Sequence, residues 1–175
     1  MSKIKRAISV DEIEKMKFIE LQLSPFFGKL LGSPERSGVW IVWGESFNGK
    51  TAFSLQLAKE LTISGKVFYN TLEEGARKSF QTAVINNNMK EVARKFIIGN
   101  RESVEDLKVR LRKKKSPDII FIDSIQYTGM TKREYQSLKE EFPNKLFIFI
   151  SHADGKNPKG ALANFVKYDA DIKIR

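Results

Sequence analysis

Three kinds of residue in this chain have the types and spacing to act together on a phosphate: a Gly-Lys-Thr triplet, a set of carboxylates and a single histidine. The triplet closes the stretch Gly44-Glu45-Ser46-Phe47-Asn48-Gly49-Lys50-Thr51, which fits the spacing G-x-x-x-x-G-K-[ST]. Backbone N–H groups of such a loop, and of the helical turn that follows it, converge on one point. The positive end of the helix dipole adds to the field there. The expected chemistry is phosphate binding, with Ala52 in the same first turn. Lys50 reaches the β- and γ-phosphates and the Thr51 hydroxyl ligates Mg²⁺. Gly44 and Gly49 let the backbone approach without a Cβ in the way. Ser46 and Asn48 stand where many such loops carry Gly or Pro, and Asn tolerates a positive φ. The bland alternative is a glycine turn before an ordinary helix. Accident produces the four fixed positions in roughly one chain of this length in two hundred.

The carboxylates follow apolar runs. Asp123 comes after Ile119-Ile120-Phe121-Ile122. In a protein with a phosphate loop, a carboxylate there holds Mg²⁺, directly or through water, beside Thr51. Otherwise it simply caps a strand end. Asp118, at the other end of the same strand, is read as structural. Glu73 and Glu74 end a different strand, where a carboxylate can polarise water for in-line attack on a γ-phosphate. Their mutual repulsion would raise one pKa, although an acidic helix start looks the same in sequence. Glu73 is the expected base and Glu74 its assistant. His152, the only histidine, follows Leu146–Ile150. A neutral imidazole there could bond the γ-phosphate or the attacking water, or be a satisfied turn histidine. With no second His and no Cys, it is not expected to bind metal.

These residues need elements to hold them. Val39–Trp43 reads as a buried strand and Thr51–Ser64 as a helix with Phe53, Leu57, Ala58 and Leu61 inward, stopped by Gly65. Strands are expected at Lys66–Asn70, Phe96–Ile98, Asp118–Asp123, Leu146–Ile150 and Asp171–Arg175. Helices are expected at Ala76–Asn86, Ser103–Lys115 and Thr131–Phe142, with Ser103 a cap and Pro117 and Pro143 as breaks. Residues 8–31 carry helical spacing through Ile13, Met16, Ile19 and Leu23, and residues 33–38 form a turn cluster. The spacing predicts an N-terminal helical extension over 1–38, packed on the sheet edge or a neighbour, and a core over 39–175. Strands alternating with helices mean an α/β fold, three layers around a mainly parallel sheet. Ligands in such sheets bind at the carboxyl ends of the strands. That is where the phosphate loop, Glu73, Asp123 and His152 all fall.

The chain has 175 residues, a net charge of +10 and no cysteine. Its longest apolar runs are far short of the ~20 residues a membrane helix needs, and residues 1–16 lack the apolar core of a secretory signal. A membrane partner is therefore not expected, and the cytoplasm is. The charge suggests a polyanion partner, nucleic acid first. Lys108, Arg110, Arg112, Lys113, Lys114 and Lys115 form the densest basic run. It reads first as a solvated helix end on the face opposite the phosphate loop, and second as a nucleic-acid contact. The polar loop Asp154–Lys167, with Lys156 and Lys159, leaves the catalytic end directly from His152. Tyr127, Lys132 and Arg133 offer an aromatic and two cations after Asp123, a combination suited to single strands.

The order of these motifs resembles the RecA-like ATPases, and within them the RadA, DnaB-helicase and KaiC type cores. The likeness rests on Gly44–Thr51, Tyr69–Gly75, Asp118–Gln126 and Phe147–Gly155 with a Pro-x-Gly loop after it. It implies that the strand of His152 lies between those of Asp123 and the phosphate loop. Glu73 would be the catalytic carboxylate and His152 the γ-phosphate sensor. The loops after Asp123 and His152 would face DNA in a ring or filament, with active sites between subunits. A cation supplied in trans is expected, for which Lys167 is the first candidate and Lys173 and Arg175 the others. The function expected is Mg²⁺-dependent ATP hydrolysis coupled to DNA, in recombination, unwinding or loading, by a homo-oligomer. A nucleotide or small-molecule kinase would want an Arg-rich lid, and a GTPase an Asn-Lys-x-Asp, neither of which is evident. An ATP-binding scaffold with weak hydrolysis is the remaining alternative.

Overall fold

The computed structural model describes residues 6–46 and 48–175; residues 1–5 and Phe47, one of the expected loop positions, lie outside the described residues. Two short helices, α1 (Val10–Glu14) and α2 (Pro25–Leu31), precede strand β1 (Gly38–Gly44), which feeds α3 (Lys50–Leu61). The chain continues through β2 (Val67–Thr71), α4 (Lys78–Asn86), β3 (Phe96–Asn100), α5 (Val104–Leu111) and β4 (Ile119–Asp123). It ends with α6 (Lys132–Glu141), β5 (Leu146–Asp154), β6 (Asn157–Pro158), α7 (Ala161–Asp169) and β7 (Ile172–Ile174). The sheet order is β3-β2-β4-β5-β1-β7, every neighbouring pair parallel, with β6 folded back antiparallel on β5. As expected, β5 lies between β4 and β1.

Strands β1, β2, β4 and β5 bury both faces, which is why they read as unbroken apolar runs. Alternate side chains serve opposite layers. Trp40, Tyr69, Phe121 and Ile148 pack with Leu55, Leu57 and Leu61 of α3 and Phe80 of α4. Ile41, Phe68, Ile120 and Phe149 pack with Leu107 of α5, Tyr135 and Leu138 of α6, and Val166 of α7. The result is a three-layer α/β/α fold.

Caps set the helix starts. Ser103 accepts from the Asp106 N–H at 3.1 Å, and Thr131 and Glu134 form a reciprocal capping box. Helix α3 stops at Leu61, where the Thr62 hydroxyl donates back to the Lys59 carbonyl at 2.7 Å, so Gly65 does not end it. Gly65 instead lets Asp118 close in: a Cβ there would lie 2.8 Å from Asp118 Oδ2. Asp118 is structural, as expected, accepting from the Lys66 N–H at 3.1 Å.

Two expectations fail. The helical spacing over residues 8–31 does not make one helix: α1 ends at Glu14, Glu20 bridges Glu35 in antiparallel fashion, and Ser24-Pro25 opens α2. Ile13, Met16 and Ile19 are exposed, so the periodic face has no surface to bury against, and Leu21 and Phe27 make the buried contacts. The polar loop after His152 is also more ordered than expected. Strand β5 runs on to Asp154, turns at Gly155 (φ +58°), and a further helix, α7, follows. Ala163 and Val166, three residues apart, bury its inner face. Asn164 fastens its start by donating to the Pro158 carbonyl at 2.7 Å and the Gly160 carbonyl at 3.0 Å.

Candidate active site

Parallel pairing turns the carboxyl ends of β1, β2, β4 and β5 to one edge, and register fixes what meets there. Gly44 of β1 pairs with His152 of β5, and Thr71 of β2 with Asp123 of β4. The cleft between them, about 440 Å³, is lined by Ser46, Gly49, Lys50, Thr51, Glu73, Glu74, Asp123 and His152.

One wall is a helix N-terminus. Gly49 caps α3 at φ +73°, a left-handed conformation that favours glycine; no side chain caps the helix and its first turn holds no acidic residue. The N–H groups of Lys50, Thr51 and Ala52 find no acceptor among the described residues. Lys50 Nζ folds back onto the Glu45 carbonyl at 2.5 Å. Its stem passes 3.5 Å from where a Cβ on Gly44 would sit. Free donors, an ammonium and a dipole end together make an anion cradle.

The floor is Asp123. Tyr69 donates its hydroxyl to Asp123 Oδ2 at 2.5 Å. Burial pushes the Asp123 carboxyl up to about 6, and the charges of Glu73 and Glu74 push the same way against the Tyr69 bond and Lys50. Tyr69 is driven well above its usual range by burial, then by Asp123. The carboxylate keeps an open edge toward the cleft. An uncompensated buried carboxylate beside the Thr51 hydroxyl suits a hard cation. Among the described residues no three His, Cys, Asp or Glu side chains form a metal cage, so such a cation would draw most ligands from phosphate and water.

The far wall carries Glu73. Its Oε2 lies 3.0 Å from His152 Nε2 and accepts from Ser124 Oγ at 3.3 Å. Glu74 points elsewhere, accepting from Ser79 Oγ at 2.6 Å. Two residues without an expected role hold this wall. Arg101, at φ +56°, donates to the carbonyls of Glu73 at 3.1 Å and Glu74 at 3.2 Å. Gln126 donates to Ser151 Oγ and to the Lys159 carbonyl, both at 2.8 Å, and accepts from the His152 N–H at 3.3 Å. Gln126 thus joins the segment after Asp123 to the strand end of His152. The sequence signal for both was only their place just after a strand.

No protein-family model and no curated protein matches the sequence. Solved structures do resemble this one. The flagellar accessory protein FlaH from Methanocaldococcus jannaschii superposes with a TM-score of 0.61 at 16% identity, covering 90% of this chain and 79% of that one. A helicase ATPase domain does so with a TM-score of 0.60 at 17% identity, covering 93% of this chain and 78% of that one. The fold is RecA-like.

On this RecA-like core the remaining candidates are spread out. Lys156 and Lys159 are exposed on the β5–β6 hairpin. Its backbone is tied down by Trp43 Nε1, which donates to the Lys156 carbonyl at 3.2 Å, and by the Lys159 N–H, which donates to the His152 carbonyl at 2.8 Å. Lys132 lies over the Phe165 ring at 5.2 Å, and Arg133 is exposed beside it. Lys167 is engaged within its own chain, 2.8 Å from Asn157 Oδ1 and over the Trp43 ring at 5.2 Å. Lys173 is exposed on β7, and Arg175 donates to the Gly155 carbonyl at 3.4 Å. All three sit at the β1–β7 side, away from the cleft lining.

Proposed function

We propose that this chain binds ATP with Mg²⁺ in the cleft between β1, β2, β4 and β5 and hydrolyses it. The observation that carries the reading is the Glu73–His152 contact of 3.0 Å facing the uncapped N-terminus of α3. In this reading the free N–H groups and Lys50 hold the phosphates, with Gly44 to Gly49 forming the cradle. Asp123 and the Thr51 hydroxyl hold Mg²⁺, which when bound neutralises charge developing on the phosphates. Glu73 takes a proton from the attacking water, held toward the phosphate by Ser124 and His152. His152 Nε2 reports the γ-phosphate, and Gln126 carries a change in its position to the segments after Asp123 and His152. Arg101 holds the Glu73–Glu74 backbone so that the carboxylate stays in place.

The catalytic unit is residues 39–175. Residues 6–38 are an extension, laid against α3 through Leu21 and Phe27. Coupling to single-stranded DNA through Lys132, Arg133, Lys156 and Lys159 belongs to the same reading, supported by their position beyond Gln126. So does a homo-oligomer in which Lys167, Lys173 or Arg175 faces a neighbour's nucleotide. Lys173 is the best placed of the three because it has no partner among the described residues. Product analysis with γ-labelled ATP and Mg²⁺ tests the reading. Free inorganic phosphate and ADP are expected, released faster with single-stranded DNA. Label on an acceptor molecule would make the protein a kinase instead.

A further inference from the structure

The excess positive charge of this chain collects at the edge opposite the cleft. Parallel pairing brings the amino ends of β3, β2, β4 and β5 side by side. The segments that enter them carry Lys66, Lys90, Arg94, Lys113, Lys114 and Lys115, all exposed. Among the described residues none of these six has a carboxylate partner. The acids that stand near them are already engaged: Asp118 by Arg36 at 3.6 Å, Glu91 by Lys59 at 2.8 Å, and Glu141 by Arg112 at 2.6 Å. The scaffold beneath is fixed. Lys95 Nζ donates to the Thr62 carbonyl at 3.0 Å and Lys145 Nζ to Ser116 Oγ at 3.0 Å. A cleft of about 550 Å³ between the end of α3 and residues 90–95 opens on the same edge.

We infer that this edge is a second nucleic-acid contact, independent of the nucleotide cleft, that binds the phosphate backbone. Four neighbouring strands spaced about 4.8 Å apart set the cations in a row about 14 Å long. Such a row meets several backbone phosphates at once, and neutralising them releases counterions. Six unpaired cations on one edge repel one another, and a polyanion relieves that repulsion. An anionic membrane is the less suited partner. A surface helix that binds lipid sets apolar side chains beside its cations, whereas the apolar residues of α5, Leu107 and Leu111, face the core. The contact is sequence-independent, because the row offers ammonium and guanidinium groups to phosphates and no element enters a groove.

The test is fluorescence anisotropy with a labelled oligonucleotide, single-stranded and duplex, without ATP and across a salt series. Two charge-removing variants are compared with the unaltered chain: Lys113→Ser with Lys114→Ser and Lys115→Ser, and Lys66→Ser with Arg94→Ser. Thermal melts check that each remains folded, and arginine replacements at 113–115 control for charge. Each variant is expected to weaken binding at least tenfold and to lower the salt slope by about 0.7 per lost contact on single strands. The arginine form should retain binding. ATP turnover should be unchanged, since the row lies at the other end of the strands from Lys50 and Asp123. Unchanged affinity and slope in both variants would overturn the inference. So would stronger binding to phosphatidylserine vesicles than to nucleic acid.

Discussion

Replacing Asp123 by Asn should stabilise the nucleotide-free protein while disabling it. Asp123 titrates at about 6 in the fold against 3.8 for an ordinary Asp. The folded chain therefore binds more protons than the unfolded chain between those values. Its stability falls as pH rises through that window, and the loss persists above it. The difference is worth about 3 kcal/mol at pH 8, at 1.36 kcal/mol per pH unit. This is a ceiling, because the carboxylate keeps an edge open to the cleft. For a domain of this size the ceiling corresponds to roughly 6–12 °C in Tm. Asn fills the same volume without charge and can still accept the Tyr69 hydroxyl. Melting curves should show Asp123→Asn several degrees above the unaltered chain at pH 8 and level with it at pH 4.5, where Asp123 is protonated. Mg²⁺ with a non-hydrolysable ATP analogue should raise the Tm of the unaltered chain far more than that of the variant. Equal melting at pH 8, or a difference that does not change with pH, would refute the reasoning.

Two further outcomes follow from contacts at the same site. Tyr69→Phe removes the donor at 2.5 Å from Asp123. It should cost about 1.5–3 kcal/mol at pH 8, the range for a hydrogen bond to a charged group, and less at pH 4.5; urea titration at both pH values measures it. Gln126→Ala breaks the link between the segment after Asp123 and His152. Turnover without DNA should stay within a few fold, while any stimulation by single-stranded DNA should disappear in a phosphate-release assay.

Much of this site could be read from the sequence because each part is local. A phosphate loop needs its glycines, lysine and hydroxyl at fixed spacing, and buried strands such as Ile119–Asp123 advertise both their burial and the residue at their end. What escaped depends on contacts across the chain. Arg101 and Gln126 act through backbone carbonyls and neighbouring strands, and no periodicity marks such a role. Helix α7 escaped because a Pro-x-Gly segment precedes it and its buried pair, Ala163 and Val166, is small. The split of residues 8–31 escaped for the converse reason: apolar spacing in Ile13, Met16 and Ile19 had no core to face. The basic run at Lys113–Lys115 was visible, but only the sheet order brings it beside Lys66 and Arg94.

The most direct test of ATP hydrolysis at this cleft is the turnover of Glu73→Gln. The change keeps the side chain's size and its reach toward Ser124 and His152 while removing the base. Phosphate release with Mg²⁺ should fall by about 10²-fold or more, the scale of a lost general base, with affinity for a fluorescent ATP analogue within a few fold. Unaltered turnover in Glu73→Gln, or no nucleotide binding by the unaltered chain, would contradict hydrolysis here.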